Sequence, residues 1–413
     1  MADSLSLDGF GPIPLQKPAN ISELSDLVRA AQSRGEALYP IGGSTSQDRG
    51  GSPSKPGSAI DMRAINGIVD YPARDMTITA QAGITIAQLQ QALALENQYL
   101  PIDVPQPERA TLGGVLAANI SGPRRLTHGT FRDAVIGIRF LADDAHTIRG
   151  GGQVVKNVAG YDLMKLQIGA LGTLGIITEA TLKVKPKPET LAFIAFQLNA
   201  SAIGPTLDRL HASTARPAIL ELVNRAALRT VPNSGIPDAE PWTVLCGFEE
   251  KASTVAWQIQ MLQEELKTAP VRNVRTFSDD SARTIMTGLT ELQAARTGFS
   301  TLKANVLPSD VAAFAEFAQS QNAEAVVHAH AGNGIVFVHL PSEVGLERFS
   351  AIFQQLGQRT KNANENVIVW RCPPEWKNKL AMWGRDRGDR VLMKLIRQKL
   401  DPGELFNTGR MTM

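Results

Sequence analysis

The sequence predicts an α+β fold in two principal domains, and three observations carry that prediction. At 413 residues the chain exceeds the size at which one hydrophobic core keeps growing, so a second domain or a large cap is expected. Up to about residue 190, short helix and strand patterns interleave irregularly around glycine-rich turns, and no strand, G-x-G-x-x-G and helix run of a dinucleotide-binding βαβ unit occurs. From 190 to 370 the texture changes to two rounds of strand, helix and hairpin patterns, which suggests an antiparallel sheet covered by helices on one face. The boundaries drawn from this are 1–189, 190–370 and a C-terminal segment, 371–413, that returns to the first domain.

Composition narrows the function. With 43% hydrophobic and 20% charged residues, and 35 Gly and 24 Pro spread along it, the chain is a loop-rich globular protein without a disorder signature. The net charge of +2 comes from mixed signs with no basic stripe, so a nucleic-acid partner is not expected. MADSLSLDGF has no basic n-region, and no run approaches the roughly 18 apolar residues of a spanning helix; a cytoplasmic chain without direct membrane insertion is expected. Cys246 and Cys372 are the two cysteines, without C-x-x-C spacing. An iron–sulfur cluster usually takes four thiolates, so the chain cannot hold one of its own, and both are read as buried thiols.

Asn20 followed by Glu23 forms a capping-box pattern, and Ile21, Leu24, Leu27, Val28 and Ala31 recur at helical spacing until Gly35, which makes a helix the first predicted element. ALYPI (37–41) reads as a strand and the Gly, Ser and Pro-rich stretch after it as a loop. MTITAQAG (76–83) alternates like a strand, and Thr85 with Gln88 caps a helix carrying Leu89, Ala92, Leu93 and Leu95. In the second domain FIAFQLN, AILELVN, WTVLCGF and TLKANVLP read as strands, the regions 203–213, 252–267, 309–320 and 343–358 as helices, and AVVHAHAGNGIVFVHL as a hairpin. The last segment holds one more helix and ends in the turn-rich LDPGELFNTGR.

Four segments carry chemistry. In YPIGGST (39–45), Gly42 and Gly43 remove side chains that would hold a pyrophosphate off the backbone, and the neighbouring amides and hydroxyls form an anion-binding concavity. On that reading Gly43→Val blocks the phosphates while the fold survives; an ordinary turn is the alternative. In TLGGVLAAN (111–119), Thr111 caps a short helix whose free amides face an anion, or the glycines simply pack a tight helix start. SGPRRLTHGTFRD (121–133) is a basic loop in which Arg124, Arg125 and His128 suit a carboxylate, cofactor phosphates or a partner. KNVAGYDLMKLQIGALGTLGIIT (156–178) reads as a helix flanked by glycines that leads into an apolar strand, with close approach to a flat ligand explaining the glycines.

The order of these segments resembles the FAD-binding domain of the vanillyl-alcohol oxidase and p-cresol methylhydroxylase superfamily. The stretch VVKNVAGYDLMKLQIGALGTLGIITEATLKVKP, with SGPRR and FRDAVIGIRFLADD before it, is similar to the FAD-binding subunits of bacterial glycolate oxidases. The likeness covers residues 17–190 and the closing DPGELFNTGR, and is loose in the cap. It implies a two-subdomain FAD-binding domain of the p-cresol methylhydroxylase type under an antiparallel-sheet cap. The family's pyrophosphate loop falls on Ile41, Gly42, Gly43, Ser44 and Thr45, and its second phosphate and flavin-ring segment on Thr111, Leu112, Gly113 and Gly114. Gly122, Gly129 and Thr130 match flavin-lining positions, and Gly175, Ile176 and Ile177 the strand that holds the adenine half. Asn407 matches the closing turn near the isoalloxazine, with Thr408 in place of the family's proline. Members with covalent flavin use a His or Cys near the pyrophosphate loop; YPIGGST has neither, so non-covalent FAD is implied, the flavin doing the hydride chemistry.

The resemblance further implies a small 2-hydroxyacid substrate such as glycolate, with a second flavoprotein subunit and an iron–sulfur subunit as partners that hold the chain peripherally at the inner membrane. Two alternatives stand beside it: a self-sufficient 2-hydroxyacid or alcohol dehydrogenase, which needs a complete base, cation and acceptor route, and a non-catalytic scaffold, which would bind no flavin. HAHAGNG (328–334) is similar to the first half of a metal motif in catalytic relatives, but Phe337 stands where its second His would fall. His328 and His330 share one strand face, and His339 can approach across the hairpin. Without an assured carboxylate the ligand set is incomplete, so these histidines are expected to be structural, with no metal site and no catalytic residue assigned.

Overall fold

The computed structural model describes residues 3–152, 162–294, 297–362 and 365–411, and three large sheets organise them. The architecture is α+β, as the sequence predicts. The first element, however, is a hairpin and not a helix: Ser4–Leu7 pairs antiparallel with Phe10–Gln16. The turn residues Asp8 and Gly9 both have positive φ, 55° and 78°, and Asp-Gly between two alternating apolar runs is the sequence signal for such a turn. Leu7 and Ile13 bury against Ala37, Tyr39, Ile41 and Ala59. The four strands run in the order Ser4–Leu7, Phe10–Gln16, Gly57–Asp61, Ala37–Ile41, with the last two pairing parallel. Helix Ile21–Arg34 buries Leu24, Val28 and Ala31 against this sheet. Its cap is as predicted: Asn20 Oδ1 accepts the Glu23 amide at 3.0 Å and Glu23 accepts the Ala19 amide at 2.8 Å.

A second, antiparallel sheet orders Ile68–Asp70, Thr77–Gln81, Ile176–Lys183, Val135–Leu141 and Thr147–Gly151. Helices Ile86–Ala94, with its Thr85–Gln88 capping box, and Leu112–Ala118 pack on it. Residues 156–161 of the helix read in 156–178 lie outside the described residues. Beyond them the chain makes one helical turn, Met164–Gln167, then bends at Gly169, Gly172 and Gly175, whose φ values of 85°, 67° and 140° no helix accommodates. The apolar strand after these bends is present as Ile176–Lys183. The basic loop 121–133 contains two short helical turns, Arg125–His128 and Phe131–Ala134.

The cap is one eight-stranded antiparallel sheet in the order Arg272–Ser278, Thr190–Leu198, Trp242–Glu250, Ile219–Asn224, Val326–His330, Ile335–Pro341, Phe299–Asn305, Asn366–Arg371. Helices cover both of its faces, not one. Ile194, Phe196 and Leu198 point toward Ile203–His211, Ala252–Leu266, Val311–Gln321 and Gly345–Gln358, while Phe193 and Ala195 point the other way, toward Asp279–Glu291. That helix carries Ala282, Ile285, Met286 and Leu289 at helical spacing, and the strand before it is an exposed edge with little apolar alternation to reveal it.

The C-terminal segment runs through helix Asp389–Leu400 to the first subdomain, where Leu38 N donates to Leu405 O at 2.7 Å and Asn407 N to Leu38 O at 2.9 Å. Asp401 turns the chain there by accepting the amides of Leu405 and Phe406. The cap is joined to the rest by buried charge. Arg124 lies between Asp103 (2.5 Å) and Glu249 of the cap (2.7 Å), and Glu249 also meets His128 at 2.9 Å. At the opposite corner Arg371 pairs with Asp48, and Lys377 with Asp8. No helix among the described residues is long and apolar enough to cross a membrane.

Because Glu249 is almost fully buried and holds both the Arg124 guanidinium and the His128 ring, Glu249→Ala should lower unfolding free energy by about 3 kcal/mol in urea titrations. Asp26→Ala, which removes an exposed ion pair with Arg29, should change it by less than about 0.5 kcal/mol. Equal effects would show that the buried bridge does not join the domains.

Candidate functional site

Between the first two sheets lies a cleft of two adjoining compartments, which share Gly42, Thr111, Gly114 and Asn407. The first is walled by Ile41, Gly42, Thr111, Gly113, Gly114, Gly175, Ile176 and Ile177, the second by Gly42, Gly43, Ser44 and Thr45, and Asn407 closes both. Four expected residues stand elsewhere. Leu112 is core, and Gly122, Gly129 and Thr130 belong to the neighbouring turns, Gly122 against Asp103 and Thr130 capping Phe131–Ala134. The cleft also takes in Gly172, one of the glycines read as approaching a flat ligand, and Arg49, Met62, Ala82, Leu171 and Arg410, which sequence reading passed over.

The glycines serve two different needs. A Cβ on Gly42 would lie 1.9 Å from Thr111 Oγ1, and one on Gly43 would lie 1.7 Å from the Arg109 carbonyl oxygen. Positive φ falls on Ser44 (57°), not on Gly43. Both glycines are therefore demanded by the close approach of the subdomains, and Gly43→Val would disrupt the fold itself. Gly114 differs: its Cβ would meet only Thr111 Oγ1, at 3.3 Å, and otherwise enter the cleft.

The amides of 42–45 donate to no acceptor among the described residues, which leaves them for an anion. The helix start at 111 behaves otherwise. Leu112 N donates to Ile84 O at 2.9 Å and Gly113 N to Ala82 O at 2.8 Å, and the Thr111 side chain makes no cap bond, so of the first three amides only that of Gly114 donates to no acceptor among the described residues.

Beyond Arg49 the cleft meets a buried polar cluster on the cap. The Arg49 guanidinium lies 3.7 Å from the centroid of the Trp370 ring, and Lys303 Nζ lies 4.3 Å from the same centroid. Arg49 Nε and Nη1, Arg125 Nε and Trp370 Nε1 have no hydrogen-bond partner among the described residues. Burial, with Arg125 and Arg49 adding to it, lowers the Lys303 ammonium to about 7. Arg124 and His128, by contrast, are consumed by Asp103 and Glu249. Arg49, Arg125 and Lys303 thus form a buried cationic group without matching carboxylates, an arrangement that favours an anion.

The histidines are held within the sheet. His328 stacks on Phe337 at 4.7 Å and on His339 at 5.2 Å, and His339 Nδ1 meets Thr301 Oγ1 at 2.9 Å. His330 sits opposite Glu221 in the ladder, with Nδ1 to Oε1 at 2.7 Å. Among the described residues no three His, Cys, Asp or Glu groups are placed to hold a metal.

Residues 13–151 match the family model described as FAD binding domain, and residues 185–360 that described as FAD linked oxidases, C-terminal domain. The glycolate oxidase subunit GlcD of Bacillus subtilis (strain 168) is 26% identical over 95% of this chain and 87% of its own length. The glycolate oxidase subunit GlcE of Escherichia coli (strain K12) is 42% identical over 32% of this chain and 38% of its own. A D-2-hydroxyglutarate dehydrogenase of Xanthomonas citri pv. viticola is 24% identical over 97% and 89%. The structure of alkyldihydroxyacetonephosphate synthase has the same fold, with a TM-score of 0.69 over 95% of this chain and 76% of that one at 17% identity.

Gly114 separates cofactor binding from stability. Gly114→Ala suits its helix and should stabilise the apoprotein by up to about 1 kcal/mol, while its methyl intrudes on the cleft. FAD affinity should fall about tenfold, in line with roughly 1–3 kcal/mol for overpacking. Unchanged FAD affinity in a fluorescence titration would remove Gly114 from the site.

Proposed function

The chain belongs to the FAD-linked oxidases, and from that premise we propose that it is the FAD-carrying subunit of a 2-hydroxyacid dehydrogenase of the glycolate-oxidase type. The observation that carries the reading is the junction of the glycine-walled cleft, through Arg49, with Arg125 of the first domain and Lys303 of the cap, cations without an ion-pair partner among the described residues. The cleft fits the cofactor: the amides of 42–45 and the hydroxyls of Ser44 and Thr45 would hold the pyrophosphate, and Gly114, Ile176, Ile177 and Asn407 would wall the rest. No His or Cys lines either compartment among the described residues, which supports non-covalent binding. Bound FAD supplies the hydride acceptor. The protein's own part is to bind the substrate carboxylate, and Arg125 and Lys303 are the cations free to do so.

Partners are implied by the cysteine count. Two cysteines cannot ligate a cluster, so onward electron transfer is assigned to an iron–sulfur subunit, and two of the relatives are themselves named as oxidase subunits. The same cationic group also supports the self-sufficient reading for the oxidation half-reaction.

Acid precipitation of the purified holoprotein should release all yellow colour, and anaerobic glycolate, D-lactate or D-2-hydroxyglutarate should bleach the flavin. Oxalate binding adds a pH test. Lys303 is lowered to about 7, so at about pH 8 it is largely neutral when free, and an adjacent anion favours its ammonium form. Calorimetry in buffers of different ionisation enthalpy should therefore show proton uptake near pH 8, absent in Lys303→Met. No bleaching by any of the three acids, together with no oxalate binding, would overturn the proposal.

A further inference from the structure

Strands Ile219–Asn224 and Val326–His330 place Glu221 and His330 directly opposite each other. Both side chains are almost fully buried, with relative exposures of 1% and 2%, and their 2.7 Å contact uses only one heteroatom of each. His330 Nε2 and Glu221 Oε2 have no hydrogen-bond partner among the described residues. Gly332, two residues beyond His330, abuts Leu126 of the helical turn that also carries Arg125, so this end of the cap strand meets the flavin-binding domain. Burying such atoms without partners is unfavourable, and a ligand's hydroxyl and carboxylate would supply the missing bonds.

The protonation of the pair is set by its surroundings. Burial raises Glu221 well above the carboxylate range, with Asp103 adding to it, and burial lowers His330 to about 3, with Arg125 and Lys303 adding to it. The 2.7 Å contact lets Glu221 Oε1 accept the Nδ1 proton, the tautomer that leaves the Nε2 lone pair without a partner among the described residues.

Resting on the 2-hydroxyacid reading above, we propose that His330 Nε2 takes the hydroxyl proton of the substrate and that Glu221 is its positioning residue. The O–H proton would pass to Nε2 as the carbonyl of the 2-oxoacid forms, and bound FAD would supply the acceptor for the C2–H electron pair and its hydrogen. The same cations that depress His330 when the site is empty of anion are the ones that would hold the substrate carboxylate. Their neutralisation by that carboxylate removes the part of the depression that the two charges add to burial, and so raises the basicity of the imidazole. The groups that face it are Glu221 from the neighbouring strand, Arg125 from the flavin-binding domain, Lys303 and Asp103 by charge, and the His328 and Phe337 rings.

The test combines spectroscopy with single-turnover reduction of the FAD holoprotein. Nitrogen NMR of histidine-labelled protein should show His330 protonated on Nδ1 and bare on Nε2 between about pH 5 and 8. His330→Gln should slow flavin reduction on the order of a hundredfold while leaving FAD content and oxalate affinity within about twofold. Glu221→Gln keeps an acceptor for Nδ1–H and should stay within a few-fold of wild type, whereas Glu221→Leu should lose most of the rate. A proton on Nε2, or a His330→Gln protein reduced as fast as wild type, overturns the assignment alone. A wild-type flavin that no 2-hydroxyacid reduces overturns the functional reading beneath it, and the assignment with it.

Discussion

The close backbone approach of residues 42–43 to residues 109–111 is the contact on which the rest of the site depends. The Arg109 carbonyl and the Thr111 hydroxyl occupy the space where side chains at Gly43 and Gly42 would stand. Arg109 Nη2 also reaches the Gly43 carbonyl at 3.1 Å across the same seam. Two sheets of different topology, one with parallel pairs and one fully antiparallel, are thereby held edge to edge with a cleft beside the seam. Because backbone meets backbone there, the glycine loop cannot relax into the opening, and its unbonded amides stay oriented toward the cleft.

Charge divides the molecule into fastening and reception. Arg124, Arg371 and Lys377 each have a carboxylate partner and join the cap and tail to the first domain. Arg49 is buried and Arg125 and Lys303 are partly so, yet none has such a partner among the described residues, and Trp370, beside Arg49 and Lys303, supplies only its ring face. Burying a charge without compensation is unfavourable, and a fold that keeps three such groups together is poised for an anion. The His330–Glu221 pair extends this polar region into the sheet, where the two-residue alternation puts His328 on the same face. Phe337, opposite His328 in the ladder, fills with an aromatic ring the position where a metal-binding relative would carry histidine.

Much of this was written locally. The Asn20 and Thr85 caps, the alternating strands of the cap and the glycine-rich turn at 42–43 depend on residues within a few positions of each other, and the structure contains each. The Asp-Gly signal of the N-terminal hairpin was local too, but it lay in a segment too short for periodicity to stand out. Gly169, Gly172 and Gly175 illustrate the opposite error: spacing that resembles a helix fails when the backbone adopts positive φ.

What the sequence alone determined is the capped helices and the alternating strands, the FAD-type cofactor and the family to which these turns belong, because φ preferences, caps and close-approach glycines are short-range properties. What only the tertiary structure decided is the fate of the charges. Arg124 and Arg125 are adjacent, yet the first is held between Asp103 and Glu249 while the second keeps only a serine hydroxyl. The helix amides at 112 and 113 look free in sequence and are taken by carbonyls at 84 and 82. In sequence His330 groups with His328 and His339, and only the ladder sets Glu221 against it. Compensation of a buried charge or donor depends on which distant group folds against it, and no spacing along the chain encodes that.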